Sequence, residues 1–146
     1  VCTDVLVVGT EAPGWRCAPD EGRSHRGPLA GIVTGLRAAD DGILVCAVDH
    51  PLVRVETLRR IEALAGDAPV LPMDDGVPQV TVAWYPQTAL DHFSAHLEDG
   101  SFVRRALDDL AVREVPGEEW RSWGEDGASW QSVDTPDDYA ALLPIG

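Results

Sequence analysis

Ile43-Leu44-Val45-Cys46-Ala47-Val48-Asp49-His50-Pro51, with Gly27-Pro28-Leu29-Ala30-Gly31 ahead of it, sets the architecture of this chain. The uninterrupted apolar run, without polar alternation, indicates a strand buried on both faces, the habit of a central strand in a parallel sheet. Pro51 stops the ladder and turns the chain outward, which leaves Asp49 at the strand's C-terminal end. Gly27-Pro28 reads as a helix start, since proline is tolerated in a first helical turn and the unpaired N–H groups there favour an anion. Ligands of open α/β sheets bind at the carboxyl ends of strands, and a lone acid beside a glycine-bearing helix start suits a metal-bound phosphate ester.

Working outward, residues 5–8 form a short apolar run closed by Gly9-Thr10, a second buried strand. Residues 11–27 are glycine- and proline-rich loop with one short strand near 15–18. After Pro28, Leu29, Ile32, Val33 and Leu36 fall at helical spacing, and that helix should end near Asp40-Asp41-Gly42. A helix after Pro51 carries Val55, Leu58, Ile61 and Leu64. Residues 69–72 and 80–85 are the next strands, parted by the turn Asp74-Asp75-Gly76. Residues 88–97 and 101–110 are helical, the second presenting Phe102, Ala106 and Leu110 on one face. Residues 112–115 are a short strand, 118–127 a charged surface loop whose Trp120 and Trp123 either face a partner or pack on their own domain, and 130–133 a last strand. Thr135 then caps a closing helix through Leu143, with Pro136 at its first position. Strands alternating with helices give an α/β fold, a mainly parallel sheet with helices on both faces.

The 146 residues match a single domain, 1–146, with 45% apolar content to fill its core. A formal charge of -14, from 25 acids against 11 Lys and Arg, argues against nucleic-acid or anionic-membrane binding. Any phosphate ligand needs local cations or a metal. Cys2, Cys17 and Cys46 are odd in number and widely spaced, so neither a disulfide framework nor a zinc site is indicated and a reducing cytoplasm is expected. No apolar run is long enough for a membrane span.

Asp49 is the leading chemical residue, since one carboxylate plus phosphate oxygens and water is how magnesium is held. An Asp that merely caps the following turn fits the spacing equally well. Asp20 lies in a polar loop and suits a base edge, a ribose or a metal-bound water, or simply a surface turn. Arg16, Arg23 and Arg26 share that loop and either offset phosphate charge or are solvated. His25 and His50 have no partner at zinc-ligand spacing. No Ser-His or Cys-His arrangement suggests a nucleophile.

Taken in order, GPLAG at 27–31, VCAVDHP at 45–51 and VDTPDD at 133–138 resemble the molybdenum cofactor guanylyltransferases, nucleotidyltransferases with a Rossmann-like fold. Related cytidylyltransferases share the strand Asp and the late T-P-[DE]-[DE], but GPLAG favours the guanylyl branch. The resemblance implies a Rossmann-like three-layer sandwich in the cytoplasm, with transfer of GMP from GTP to molybdopterin and release of pyrophosphate with Mg²⁺ present. It implies Asp49 as catalytic magnesium ligand, with Asp20, Gly9, Gly27 and Asp49 around the nucleotide. Gly9 stands where the family often has a polar contact, so that contact would be backbone only or absent. The family's late Asn-x-Asn-Thr-Pro is Ser132-Val133-Asp134-Thr135-Pro136 here, which puts any pterin contact on Ser132 and Asp134. Molybdoenzymes or other proteins of the cofactor pathway are the implied protein partners. A related nucleotidyltransferase with another base or acceptor, or a non-catalytic relative that binds the pterin or a partner, remains the alternative.

Family members begin with a first strand and the loop L-A-G-G-x-S-x-R-M-G-x-x-K, which holds the triphosphate, and nothing in this sequence matches it. The resemblance therefore implies an N-terminally incomplete domain, without its first strand. About fifty preceding residues are expected, from the length of one strand, its loop and a helix. This part alone should be inactive.

Overall fold

Along a strand successive side chains point to opposite faces, and the apolar pairs Val70-Leu71 and Val82-Ala83 use that alternation to fill two cores at once. In the computed structural model, which describes residues 2, 4–20 and 27–142, Leu71, Ala83 and Tyr85 pack with Leu29, Ile32, Val33, Leu36, Phe93 and Ala106 on one side. Val70, Val82 and Val115 pack with Ile61, Trp120 and Trp130 on the other. A sheet flanked by helices on both faces is thus the α/β sandwich expected of the sequence.

The elements run β1 (Leu6–Val8), β2 (Arg16–Ala18), α1 (Pro28–Arg37), β3 (Gly42–Cys46), α2 (Val55–Ala63), β4 (Val70–Asp74), β5 (Val77–Pro78) and β6 (Val82–Pro86). There follow α3 (Leu90–Glu98), α4 (Val103–Asp108), β7 (Arg113–Val115), α5 (Gly117–Ser122) and α6 (Pro136–Leu142). Helices α1, α3 and α4 cover one face, and α2 with α5 covers the other.

Pairing within the main sheet is mixed rather than mainly parallel. Strand β6 lies antiparallel between β3 and β4, while β7 is parallel to β4. The reason is the tight turn at Asp74-Asp75-Gly76, where both Asp75 and Gly76 have positive φ. It folds β5 back on β4, so the chain enters β6 reversed without a crossover helix. Strands β1 and β2 form a separate parallel pair. Helix α1 packs against both β1 and β3 and so joins the pair to the main sheet.

Four sequence expectations need correction. Strand β3 pairs only with β6 among the described residues, and it is half-buried at residues 42–45 and exposed at Cys46 rather than fully buried; Val48 beyond it is 92% exposed. Phe102 is also exposed, because the helix starts one residue later and Val103, Ala106 and Leu107 supply the buried face. The stretch 118–127 is no surface loop: α5 buries Trp120, whose indole N–H donates to the Met73 carbonyl at 2.9 Å and whose ring meets Trp130 edge-on. Trp120 is therefore core, not an interface. Finally, 130–133 is not a strand but continues from a 3-10 turn at Ala128–Trp130. Leu143, expected to end α6, lies outside the described residues.

Candidate functional site

Two clusters form around ends of strands. The first follows β1. Gly9 has φ +86°, a conformation that side chains disfavour, and its N–H donates to the Ala18 carbonyl at 2.9 Å. That geometry brings the Asp20 carboxylate against the Gly9 backbone. A Cβ at Gly9 would stand 2.8 Å from Asp20 Oδ2, and one at Gly31 3.7 Å from Oδ1. The exposed Asp20 carboxylate thus lies between the end of β1 and the first turn of α1. Gly27 is the residue before that helix, at φ 59° and ψ -156°. This backbone shape is open to glycine alone, and it leaves the first N–H groups of α1 without a side-chain cap.

Among the described residues of the β1–β2 cluster, Arg16 is the cation. The Arg16 guanidinium is engaged with Asp4 at 2.7 Å, which holds the Asp4 carboxyl below its ordinary value. Arg23, His25 and Arg26 lie outside the described residues.

The second cluster follows β3. Asp49 sits in the turn after the strand, and its carbonyl accepts the Val133 N–H at 2.8 Å. This bond brings the late motif beside Asp49, though the two are far apart in sequence. Asp49 Oδ1 is buried and has no hydrogen-bond partner, while the side chain as a whole is 42% exposed. One oxygen therefore points inward and the accessible part of the carboxylate faces out. His50, buried, places Nε2 3.0 Å from Thr81 Oγ1 and 3.7 Å from Asp49 Oδ1.

Beyond Val133 the chain is shaped by its own side chains. Ser132 Oγ donates to Asp134 Oδ2 at 2.9 Å. Thr135 caps α6: its Oγ1 accepts the Asp138 N–H, and the Asp138 carboxylate accepts the Thr135 N–H and hydroxyl. This is the reciprocal box of a helix start. The hydroxyl and N–H of Thr135 hold the Asp138 carboxyl below its ordinary value. Between this segment and Leu52 lies a groove of about 290 Å³ lined by Ser132, Val133, Asp138 and Leu142. Ser132 thus lines a cavity next to the Asp49 turn, whereas Asp134 holds Ser132 from outside it.

Sequence reasoning missed the carboxylate that fixes this segment. Glu125 is 3% exposed and accepts four hydrogen bonds: from Thr57 and Ser129 hydroxyls, both at 2.5 Å, and from the N–H groups of Gly127 and Ser129. Alongside it, Arg54 reaches the Gly124 carbonyl and Asp126 at 2.8 and 2.6 Å, and its N–H donates to Ser129 Oγ. The start of α2, just after Asp49, is so bound to the loop that leads into Val133.

The donor set at Asp49 decides what cation it fits. No group of three His, Cys, Asp or Glu side chains able to cage a metal occurs among the described residues. The Cys46 thiol is pushed up, first by burial and then by the Asp49 charge, so it stays protonated at neutral pH and offers no thiolate. A single carboxylate with one oxygen turned inward and its accessible side facing out fits a hard cation that takes its other ligands from phosphate and water, as magnesium does. No helix among the described residues is long and apolar enough to cross a membrane.

Comparison with known proteins follows the same lines. The family described as MobA-like NTP transferase domain matches residues 1–115. The structure is similar to that of molybdopterin-guanine dinucleotide biosynthesis protein A from Archaeoglobus fulgidus, at a TM-score of 0.75 and 26% identity. The match covers 87% of this chain and 66% of that one, so the chain spans just under two thirds of its length. A putative protein from Aquifex aeolicus VF5 shares the fold at a TM-score of 0.75 and 18% identity, over 91% of this chain and 72% of that one. No curated protein matches.

Proposed function

We propose, for a chain that belongs to the MobA-like NTP transferase domain family, that it serves a nucleotidyltransferase which moves GMP from GTP onto molybdopterin and releases pyrophosphate. The observation that carries this is the Asp49 turn: a carboxylate at a strand end, with a buried unpartnered oxygen and its backbone tied to Val133 of the late motif. Family membership supports the nucleotide, and the likeness to the Archaeoglobus molybdopterin-guanine dinucleotide biosynthesis protein supports the pterin acceptor.

In this mechanism the nucleotide lies over the strand ends, with Asp20 and the Gly9 backbone toward its sugar or base and the open N–H groups after Gly27 toward phosphate oxygen. Asp49 would hold Mg²⁺, and the ion would supply neutralisation of the charge that develops on the phosphates. A terminal phosphate oxygen of molybdopterin attacks the α-phosphorus in line, a new P–O bond forms, and the bond to the β-phosphate oxygen breaks. Positioning and charge neutralisation suffice, so no protein nucleophile is needed. Ser132 meets the acceptor in this reading, which its position on the groove supports, and Asp134 holds its hydroxyl.

The test is turnover of the full natural protein with GTP, CTP, ATP and UTP, each with and without Mg²⁺. GTP preference with loss of magnesium-dependent turnover in Asp49→Ala is expected. Normal metal dependence in that variant removes Asp49 from the role, and preference for CTP transfers the chain to cytidylyl transfer.

A further inference from the structure

The two oxygens of Asp49 have different surroundings. Oδ1 is buried without a partner, and the exposure of the side chain lies on the Oδ2 side. The His50 imidazole stands beside the buried oxygen, with Nε2 at 3.7 Å. This ring is itself enclosed: its side chain is 6% exposed, and Nδ1 is buried and unpartnered. Its one hydrogen-bonded nitrogen is anchored at 3.0 Å on Thr81 Oγ1. Thr81 also accepts the Ala47 N–H at 2.9 Å through its carbonyl, so the residue that holds the ring is fixed to the strand end that bears Asp49.

We infer that His50 is the positioning residue of Asp49. Its Nε2–H, shared between Thr81 Oγ1 and Asp49 Oδ1, fixes the rotation of the carboxylate and keeps Oδ2 facing the cation and the nucleotide phosphates. A carboxylate ligand that binds with one oxygen is free to swing unless a donor holds the other, and such a donor makes the ligand ready before the metal arrives. Closing 3.7 Å to hydrogen-bond length takes a shift of less than about 1 Å, within the play of one side-chain torsion. The inference rests on the role proposed above for Asp49.

Two amide side chains separate this role from simple packing. In Gln the amide nitrogen reaches the place of Nε2, whereas in Asn it falls near Nδ1; Leu fills the space with no donor. Mn²⁺ bound to the full chain, read by water-proton relaxation with GTP and in a parallel arm with CTP, reports metal binding without turnover. His50→Leu should weaken Mn²⁺ about tenfold or more, His50→Asn should behave like it, and His50→Gln should retain most of the affinity. If His50→Leu does not fold, the Gln and Asn pair decides alone. Equal losses in Gln and Asn, or unchanged Mn²⁺ binding in His50→Leu, overturn the inference. Asp49→Asn distinguishes the two levels. Lost binding there with wild-type binding in His50→Leu overturns only the role of His50, while unchanged binding in Asp49→Asn, or none in the wild type, overturns the role of Asp49 as well.

Discussion

Replacing Glu125 by leucine removes the acceptor of four donors at the junction between α2 and the loop that leads to Val133. Two are hydroxyls, of Thr57 and Ser129, and two are backbone N–H groups. A neutral donor left buried without a partner costs about 1 kcal/mol or more, so Glu125→Leu should lose about 4 kcal/mol. Glu125→Gln keeps the volume and part of the acceptor capacity but not the charge, and should lose about 2 kcal/mol. Urea unfolding reads both as a lower midpoint at unchanged slope. The acid limb gives an independent check. Burial pushes the Glu125 carboxyl up, but the hydrogen bonds from Ser129, Thr57 and Gly127 outweigh it and hold the group below its ordinary 4.5. A carboxyl lowered in the folded state contributes stability above its unfolded value and loses it as pH falls through the folded one. The gap between wild type and Glu125→Gln should therefore be full at neutral pH and shrink below about pH 4.5. A gap that stays constant down to about pH 3, or a leucine variant within about 1 kcal/mol of wild type, refutes the reasoning.

Elsewhere the expected outcomes are as specific. Asp20→Ala should leave the melting temperature unchanged while nucleotide protection against unfolding falls; full protection takes Asp20 out of the nucleotide site. Gly9→Ala should do both kinds of harm, since its Cβ meets Asp20 at 2.8 Å and the positive φ adds about 1–2 kcal/mol of strain, measurable by calorimetry. Trp120→Ala should cost about 3–5 kcal/mol by urea titration, and Trp120→Phe, which loses the bond to Met73, should still be less stable than wild type. Thr135→Ala should speed amide exchange at Asp138 in α6 and leave the global melt unmoved.

Helix α1 is readable because proline at its first turn and four buried residues at helical spacing point the same way. Strands β4 and β6 are readable because their apolar residues fill both faces. What the sequence hides is pairing: the apolarity of residues 43–48 says that a strand is there, not that β6 will approach it from the opposite direction. Helix α5 is illegible for another reason. It is short, it is mostly Glu and Arg on its outer side, and one buried Trp sets no period. Phe102 shows an error of phase, since the i, i+4 spacing is right and the helix begins one residue later. At the site, the residues named from sequence do gather at strand ends, with Asp20 on Gly9 and the late motif on Asp49. Glu125 and the tether on Asp49 leave no signal, because Thr57, which donates to Glu125, and Val133, whose N–H donates to the Asp49 carbonyl, lie far from them in sequence and no local pattern encodes the approach.

The bond from Val133 N–H to the Asp49 carbonyl has a consequence in time. It closes a loop of more than half the chain, and long loops are closed late because their entropy is spent before the contact returns anything. On a ribosome, residue 133 emerges long after β3 has left the exit tunnel, so a nascent chain can carry Asp49 on a formed strand while the turn around it is still unset. Order of synthesis thus separates the making of β3 from maturation of the site, and a chain that stops short of residue 133 lacks the tether on Asp49.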